Sequence, residues 1–164
     1  SASGNATVTV INSAPSISSG PTLSASQVQI GDVVTCSASA SDVDGDSVSL
    51  SYLWSDSSGN TLGTSSSYTV SNLSVGETIS CTVTPSDGTA SGSSSTSSSA
   101  TVINTVPTIN TPSISPNSIT TSTLLTCSTT ASDANDGALS VSYSWTASSG
   151  ATSSGSTWQL TKPN

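Results

Sequence analysis

The chain has 164 residues, nine acidic side chains, one basic side chain (Lys162), no His and a formal net charge of −8. So little positive charge removes the electrostatic basis for nucleic-acid binding and for a polybasic membrane anchor. With 45 Ser and 26 Thr but only 32% hydrophobic residues, the expected form is a thin, hydroxyl-coated β structure, because the charge density is too low for a charge-expanded coil.

In chain order, residues 1–12 open with an alternating stretch, Ala6 to Asn12, that reads as a strand. Nothing after Ser1 has the basic and apolar regions of a signal peptide, so if the chain is exported its targeting segment is expected outside this sequence. Next, Val34, Cys36, Ala38 and Ala40 alternate with Val33, Thr35, Ser37 and Ser39. Val48, Leu50, Tyr52 and Trp54 follow, then Ile79, Cys81 and Val83. A period of two with one apolar side predicts strands with a single buried face. Turn clusters at Asp44-Gly45, Ser58-Gly59-Asn60, Val75-Gly76 and Asp87-Gly88 interrupt them at the short intervals of an all-β sandwich. Ser, Thr and Val are poor helix formers, so helix is expected to be negligible. Apolar runs reach only two or three residues, as in Val10-Ile11, far short of the ~18 needed for a membrane-spanning helix.

The chain also matches itself at an offset of 91: Cys36, Asp42, Tyr52 and Trp54 fall on Cys127, Asp133, Tyr143 and Trp145. Tyr68-Thr69-Val70 meets Trp158-Gln159-Leu160 after a one-residue slip, and Thr9-Val10-Ile11-Asn12 recurs as Thr101-Val102-Ile103-Asn104. A period this long repeats whole domains. The expected division is residues 1–12 as a strand resembling the last strand of a preceding repeat, 13–104 as a complete domain, and 105–164 as a second domain without its final strands. The second copy has Cys127 but no counterpart of Cys81. Continuation of the chain and an intermolecular bond through Cys127 both account for the odd cysteine.

A Cys on the second strand, Trp54 on the third and a second Cys 45 positions after the first resemble the immunoglobulin-like modules strung in tandem on large bacterial surface and adhesin-type proteins. Ser41-Asp42-Val43-Asp44-Gly45-Asp46 ahead of Tyr52-Leu53-Trp54, and Cys81-Thr82-Val83-Thr84-Pro85-Ser86-Asp87-Gly88 ahead of the last strand, carry the same resemblance. Ile79 stands where the tyrosine corner of antibody-type domains has Tyr, so the resemblance implies the sandwich and not antibody-like recognition. It further implies tandem β-sandwiches in which a Cys36–Cys81 disulfide packs against Trp54, with Tyr52, Tyr143 and Trp145 also in the core. Such a bond implies an oxidising, extracellular or cell-surface location; reduced cysteines acting as small buried hydrophobes are the alternative.

Candidate chemistry is sparse. Asp42, Asp44 and Asp46 offer hard oxygen ligands at alternate positions, and the immunoglobulin topology would bring Asp87 to the same end, near Asn12-Ser13. These four are the candidate Ca²⁺ ligands; the alternative is a solvated set of Asp-Gly turns, and no cofactor is required. Asp133, Asn135 and Asp136 with Gly137 form a shifted set in the second copy. Asn5-Ala6-Thr7 and Asn72-Leu73-Ser74 match the N-glycan sequon, and the Ser91–Ser99 and Ser65–Ser67 runs are flexible-loop or O-glycan candidates. Without His, the serines lack their usual base. Glu77 and Asp56 are the candidate carboxylates for glycoside chemistry, and both sit in polar turns. The chain is therefore expected not to be an enzyme. The expected function is a structural repeat of an extracellular fibre, stalk or surface filament, with head-to-tail strand donation as one means of assembly. Its partners would be copies of itself or neighbouring repeats, with surface glycans as further candidates. The alternative is an adhesin or carbohydrate-binding module of a secreted protein.

Overall fold

The structure is a computed structural model that describes residues 4–161. These contain no helix, and the fold is all-β in several sheets. The chain divides into two compact units, Ser1–Asn104 and Thr105–Asn164.

In unit 1, β1 (Ser16–Leu23), β3 (Val33–Ser41) and β6 (Ser67–Thr69) form one sheet in the order β1-β3-β6. β2 (Gln27–Val28), β4 (Ser49–Asp56), β5 (Thr61–Gly63), β7 (Thr78–Ser86) and β9 (Ala100–Val102) form the other, in the order β2-β9-β7-β4-β5, and β8 (Ser95–Thr96) pairs with β7. The backbone of this sheet is the antiparallel β4–β7 ladder, which runs from Ser49↔Ser86 to Asp56↔Ile79 and sets Trp54 opposite Cys81.

The period of two decides which side chains go inside. Along β7 the residues alternate between buried and half-buried, with Ile79, Cys81, Val83 and Pro85 inward. On β3, Val34 and Cys36 are buried while Val33 is exposed. Cys36 belongs to one sheet and Cys81 to the other, and their disulfide joins the two. Trp54 is wholly buried in the same cluster as both cysteines, Val34, Val70 and Ile79. Its indole N–H donates to the Ser65 carbonyl at 2.8 Å, so the ring adds apolar volume without an orphaned polar atom. Two sheets bonded across a shared core are consistent with a sandwich. Burial of each large apolar side chain here contributes about 1.5–3 kcal/mol, so the core is effective despite the polar composition.

Unit 2 has β10 (Thr108–Ile109), β11 (Ser113–Ser115), β12 (Leu124–Ser128), β13 (Ala131–Asp133), β14 (Gly137–Leu139), β15 (Ser144–Thr146), β16 (Thr152–Ser154) and β17 (Thr157–Gln159). They form three small sheets, β10-β13-β14, β11-β12-β17 and β15-β16. The pair Ile114↔Cys127 stands 91 positions beyond Leu23↔Cys36. Leu125↔Trp158 likewise corresponds to Val34↔Tyr68, including the one-residue slip. Trp145 is buried and donates its indole N–H to the Gly155 carbonyl at 2.8 Å, while Cys127 is a half-buried free thiol.

One expectation differs from the structure. Residues 4–12 belong to no strand, although Ala6 to Asn12 alternate as a strand would. A strand forms only against a partner, and here Val8, Val10 and Ile11 are 91%, 89% and 79% exposed. Residues 1–3, at the start of that segment, lie outside the described residues. Among the described residues no helix is long and apolar enough to cross a membrane.

Candidate functional site at the incoming end of each unit

The loop between β3 and β4 carries Asp42, Asp44 and Asp46, whose carboxylates each place an oxygen within 4.8 Å of the others. The first of them shapes the loop. Asp42 Oδ1 accepts the Asp44 N–H at 2.7 Å, and Gly45 takes φ +85°, a conformation that favours glycine. Asp42 Oδ2 is buried without a hydrogen-bond partner, whereas Asp44 and Asp46 are exposed. Asp44 Oδ2 in turn accepts the Ser13 N–H at 2.6 Å, tying the incoming chain to the loop.

Asp87 is not one of that close group. It lies in the loop after β7, where Oδ1 accepts the N–H groups of Thr89 and Ala90, both at 2.6 Å, and Oδ2 accepts the Asn12 amide at 2.8 Å. The Ala90 N–H, then the Asn12 amide and the Thr89 N–H, hold its carboxyl below the usual range by favouring the charged form. Consecutive residues Asn12 and Ser13 thus bind Asp87 and Asp44. Both loops sit at the same end of unit 1, and Val10, Ile11 and Asn12 line a shallow open depression with Asp44 and Asp46.

Unit 2 repeats the arrangement with an amide in place of one carboxylate. Asn135 Oδ1 accepts the Thr105 N–H at 2.8 Å, as Asp44 accepts that of Ser13. Asp133 Oδ1 accepts the Asn135 N–H and the Thr105 hydroxyl, both at 2.8 Å. The Asn135 N–H is the main cause of a lowered Asp133 pKa; burial opposes it and the Thr105 hydroxyl adds to it. Asp133 is 6% exposed, and its Oδ2, like Asn135 Nδ2, is buried without a partner. Asp136, the remaining acid of this loop, is exposed and at the surface.

Asp42, Asp44, Asp87 and Asp133 therefore act first as acceptors for backbone N–H groups, and Asp44, Asp87 and Asp133 also hold the residues by which the chain enters each unit. Their oxygens also suit a hard divalent cation: Asp42, Asp44 and Asp46 are gathered closely enough to share one, whereas Asp87 stands apart. Sequence reasoning found the acids and missed this latch. The signal was present: Asn12-Ser13 and Asn104-Thr105 stand 92 apart, and Asp42-x-Asp44 and Asp133-x-Asn135 stand 91 apart.

The other candidates are placed as follows. Asp56 accepts from the Asn60 side chain and backbone and from the Ser58 N–H, which hold its carboxyl below the usual range, opposite to the shift a general acid needs. Glu77 Oε2 accepts the Ser74 N–H at 2.6 Å. Lys162 lies outside the described residues. Asn5 and Asn72 are exposed, and Asn72 holds φ +55° in its turn. All six aromatic side chains are buried or half-buried: Trp54 and Trp145 are buried, and Tyr52, Tyr68, Tyr143 and Trp158 are half-buried. The Ser91–Ser95 run lines an open groove against Ala14–Ile17, closed at one point where Gly92 packs on the Pro15 carbonyl. Comparison with protein-family models, curated proteins and solved structures finds no match to this chain.

Proposed function

We propose that the chain is a piece of a structural protein: tandem immunoglobulin-like repeats that build an extracellular fibre, stalk or surface filament. The observation that carries this reading is the Cys36–Cys81 bond between two sheets, seated in one core with the fully buried Trp54. Such a crosslink forms and persists in oxidising surroundings, and it stiffens a unit whose apolar content is small. The carboxylate latch supports a load-bearing role as well, because each unit grips its incoming chain through side chains from one or two loops. A glycan-binding module would present an aromatic platform, whereas the large apolar residues that this chain exposes are Val, Ile and Leu.

Electron microscopy of native material labelled with an antibody against residues 13–104 tests the reading. Label along a fibre or on the cell surface supports it. Label confined to the cytosol, or turnover of a glycan or ester by the purified chain at enzyme-like rates, overturns it.

A further inference from the structure

In unit 2 a hydroxyl, a side-chain amide and a buried carboxylate meet where the chain enters. The Thr105 hydroxyl lies 2.7 Å from Asn135 Oδ1 and 2.8 Å from Asp133 Oδ1, placed to donate to either. The Thr105 N–H donates to Asn135 Oδ1 at 2.8 Å, and this backbone donor fixes which amide atom is the oxygen. Asn135 is held in turn by its own N–H, which donates to Asp133 Oδ1 at 2.8 Å in the turn between β13 and β14. Asn135 Nδ2 and Asp133 Oδ2 are both buried without partners, and Asp133 as a whole is 6% exposed. Unmatched buried polar atoms cost stability, and a reactive role is one reason a protein keeps them.

Together these groups are the parts of an acyl transfer. Thr105 Oγ1 is the nucleophile, Asn135 Cγ the electrophile, and Asp133 Oδ1 stands where it takes the hydroxyl proton. Charge that develops on Asn135 Oδ1 during attack meets the Thr105 N–H, a donor already in place. The Asn135 N–H holds the Asp133 carboxyl below the usual range against the opposing effect of burial, so at neutral pH it is ionised and able to accept a proton. Fixing nucleophile and carbonyl side by side reaches effective concentrations of about 10⁵–10⁸ M, which offsets the low reactivity of an amide without a cofactor or partner.

We infer that unit 2 crosslinks itself through an ester between the side chains of Thr105 and Asn135. The bond from Thr105 Oγ1 to Asn135 Cγ forms as the hydroxyl proton passes to Asp133. The Cγ–Nδ2 bond then breaks, its electron pair stays on Nδ2, and the proton held by Asp133 moves to that nitrogen, which leaves as ammonia. Asp133 returns to its ionised form, nothing is oxidised or reduced, and the chain is lighter by one ammonia. The bond joins residues 30 apart and constrains the unfolded chain as a disulfide does, locking the entering segment to the β13–β14 turn. Unit 1 is an internal control. Ser13, Asp42 and Asp44 take the equivalent places, and Asp44 Oδ2 accepts the Ser13 N–H at 2.6 Å, yet a carboxylate accepts a nucleophile far less readily than an amide does. One amide in place of one carboxylate separates a covalent clasp from a hydrogen-bonded one. The ester forms whether or not the chain builds a fibre.

The test is mass spectrometry of the purified 164-residue chain after incubation at neutral pH, intact and after peptic digestion. The expected product is lighter than the sequence by one ammonia and yields a linked peptide pair containing Thr105 and Asn135. Hydroxylamine, which cleaves esters, separates that pair and leaves a hydroxamate at position 135. Thr105→Ser keeps the loss of ammonia, whereas Thr105→Val and Asn135→Asp retain the full mass of their sequences. Asn135→Asp preserves an acceptor for the Thr105 N–H, as Asp44 does for Ser13, so its β11–β12 amides stay protected from hydrogen exchange while the crosslink is absent. A wild-type chain that stays at full mass overturns the inference. Loss of ammonia that persists in Thr105→Val overturns it as well, since Asn135 has then cyclised on its own backbone.

Discussion

Removing the Cys36–Cys81 bond perturbs unit 1 by an amount that can be worked from the length of the loop it closes. The two residues are 45 apart in sequence, and releasing a loop of that length returns about 4 kcal/mol of entropy to the unfolded chain. That is a large share of the ~5–15 kcal/mol by which domains are stable. Unfolding entropy of ~2.1 cal/mol/K per residue over about 90 residues gives roughly 0.19 kcal/mol/K, so the loss lowers the melting temperature of unit 1 by about 20 °C. Unit 2 supplies an internal control, since its Cys127 is a free thiol. Differential scanning calorimetry of the whole chain, with and without reductant and for Cys36→Ala/Cys81→Ala, reads both transitions. The expected outcome is a fall in the unit 1 transition alone. A shift below about 5 °C, or equal shifts in both transitions, refutes the reasoning.

Trp54→Ala empties a fully buried site and orphans the Ser65 carbonyl, so chemical denaturation of unit 1 should show a loss of about 3–5 kcal/mol, with Trp54→Phe milder. Gly92→Ala drives a methyl into the Pro15 carbonyl and should cost about 3 kcal/mol. Gly45→Ala, at positive φ but in open space, should cost about 1 kcal/mol in the same denaturation series. Asp44→Ala removes the acceptor for the Ser13 N–H and Asn135→Ala that for Thr105; hydrogen exchange at each amide should accelerate about tenfold, while β4–β7 amides keep their protection. Asp56, Asp87 and Asp133 have folded-state pKa values below the ordinary 3.8. Their contribution is complete above that value and is lost as pH falls through the lower folded values, so the unfolding midpoint should hold from pH 7 to 5 and then drop. Asp87→Asn should flatten part of that drop in unit 1, and a midpoint rising on acidification contradicts the assignment.

Much of unit 1 is legible in its residues. The alternation of Ile79, Cys81 and Val83, and of Val34 and Cys36, names the inward faces because a strand presents its side chains with period two. Trp54 opposite Cys81 follows from the same alternation once β4 and β7 are paired. The strand expected at Ala6 to Asn12 was not predictable in this way, since alternation specifies a face and not the existence of a partner. The carboxylates illustrate a different limit. Asp42, Asp44 and Asp87 read equally well as cation ligands or turn acids in one dimension, and only tertiary placement brings Ser13 and Asn12 within hydrogen-bond reach of Asp44 and Asp87. Burial of Asp133 was likewise hidden, because its neighbours Ala134 and Asp136 are exposed and suggest a solvated loop.

In unit 1 a polar chain is held in shape by a crosslink between two sheets, a bond of the kind that forms where thiols are oxidised. Peptide mapping under non-reducing conditions, on protein taken from its native source with free thiols alkylated at once, tests that directly. The predicted result is a linked peptide pair containing Cys36 and Cys81. Recovery of both residues as alkylated thiols contradicts the account.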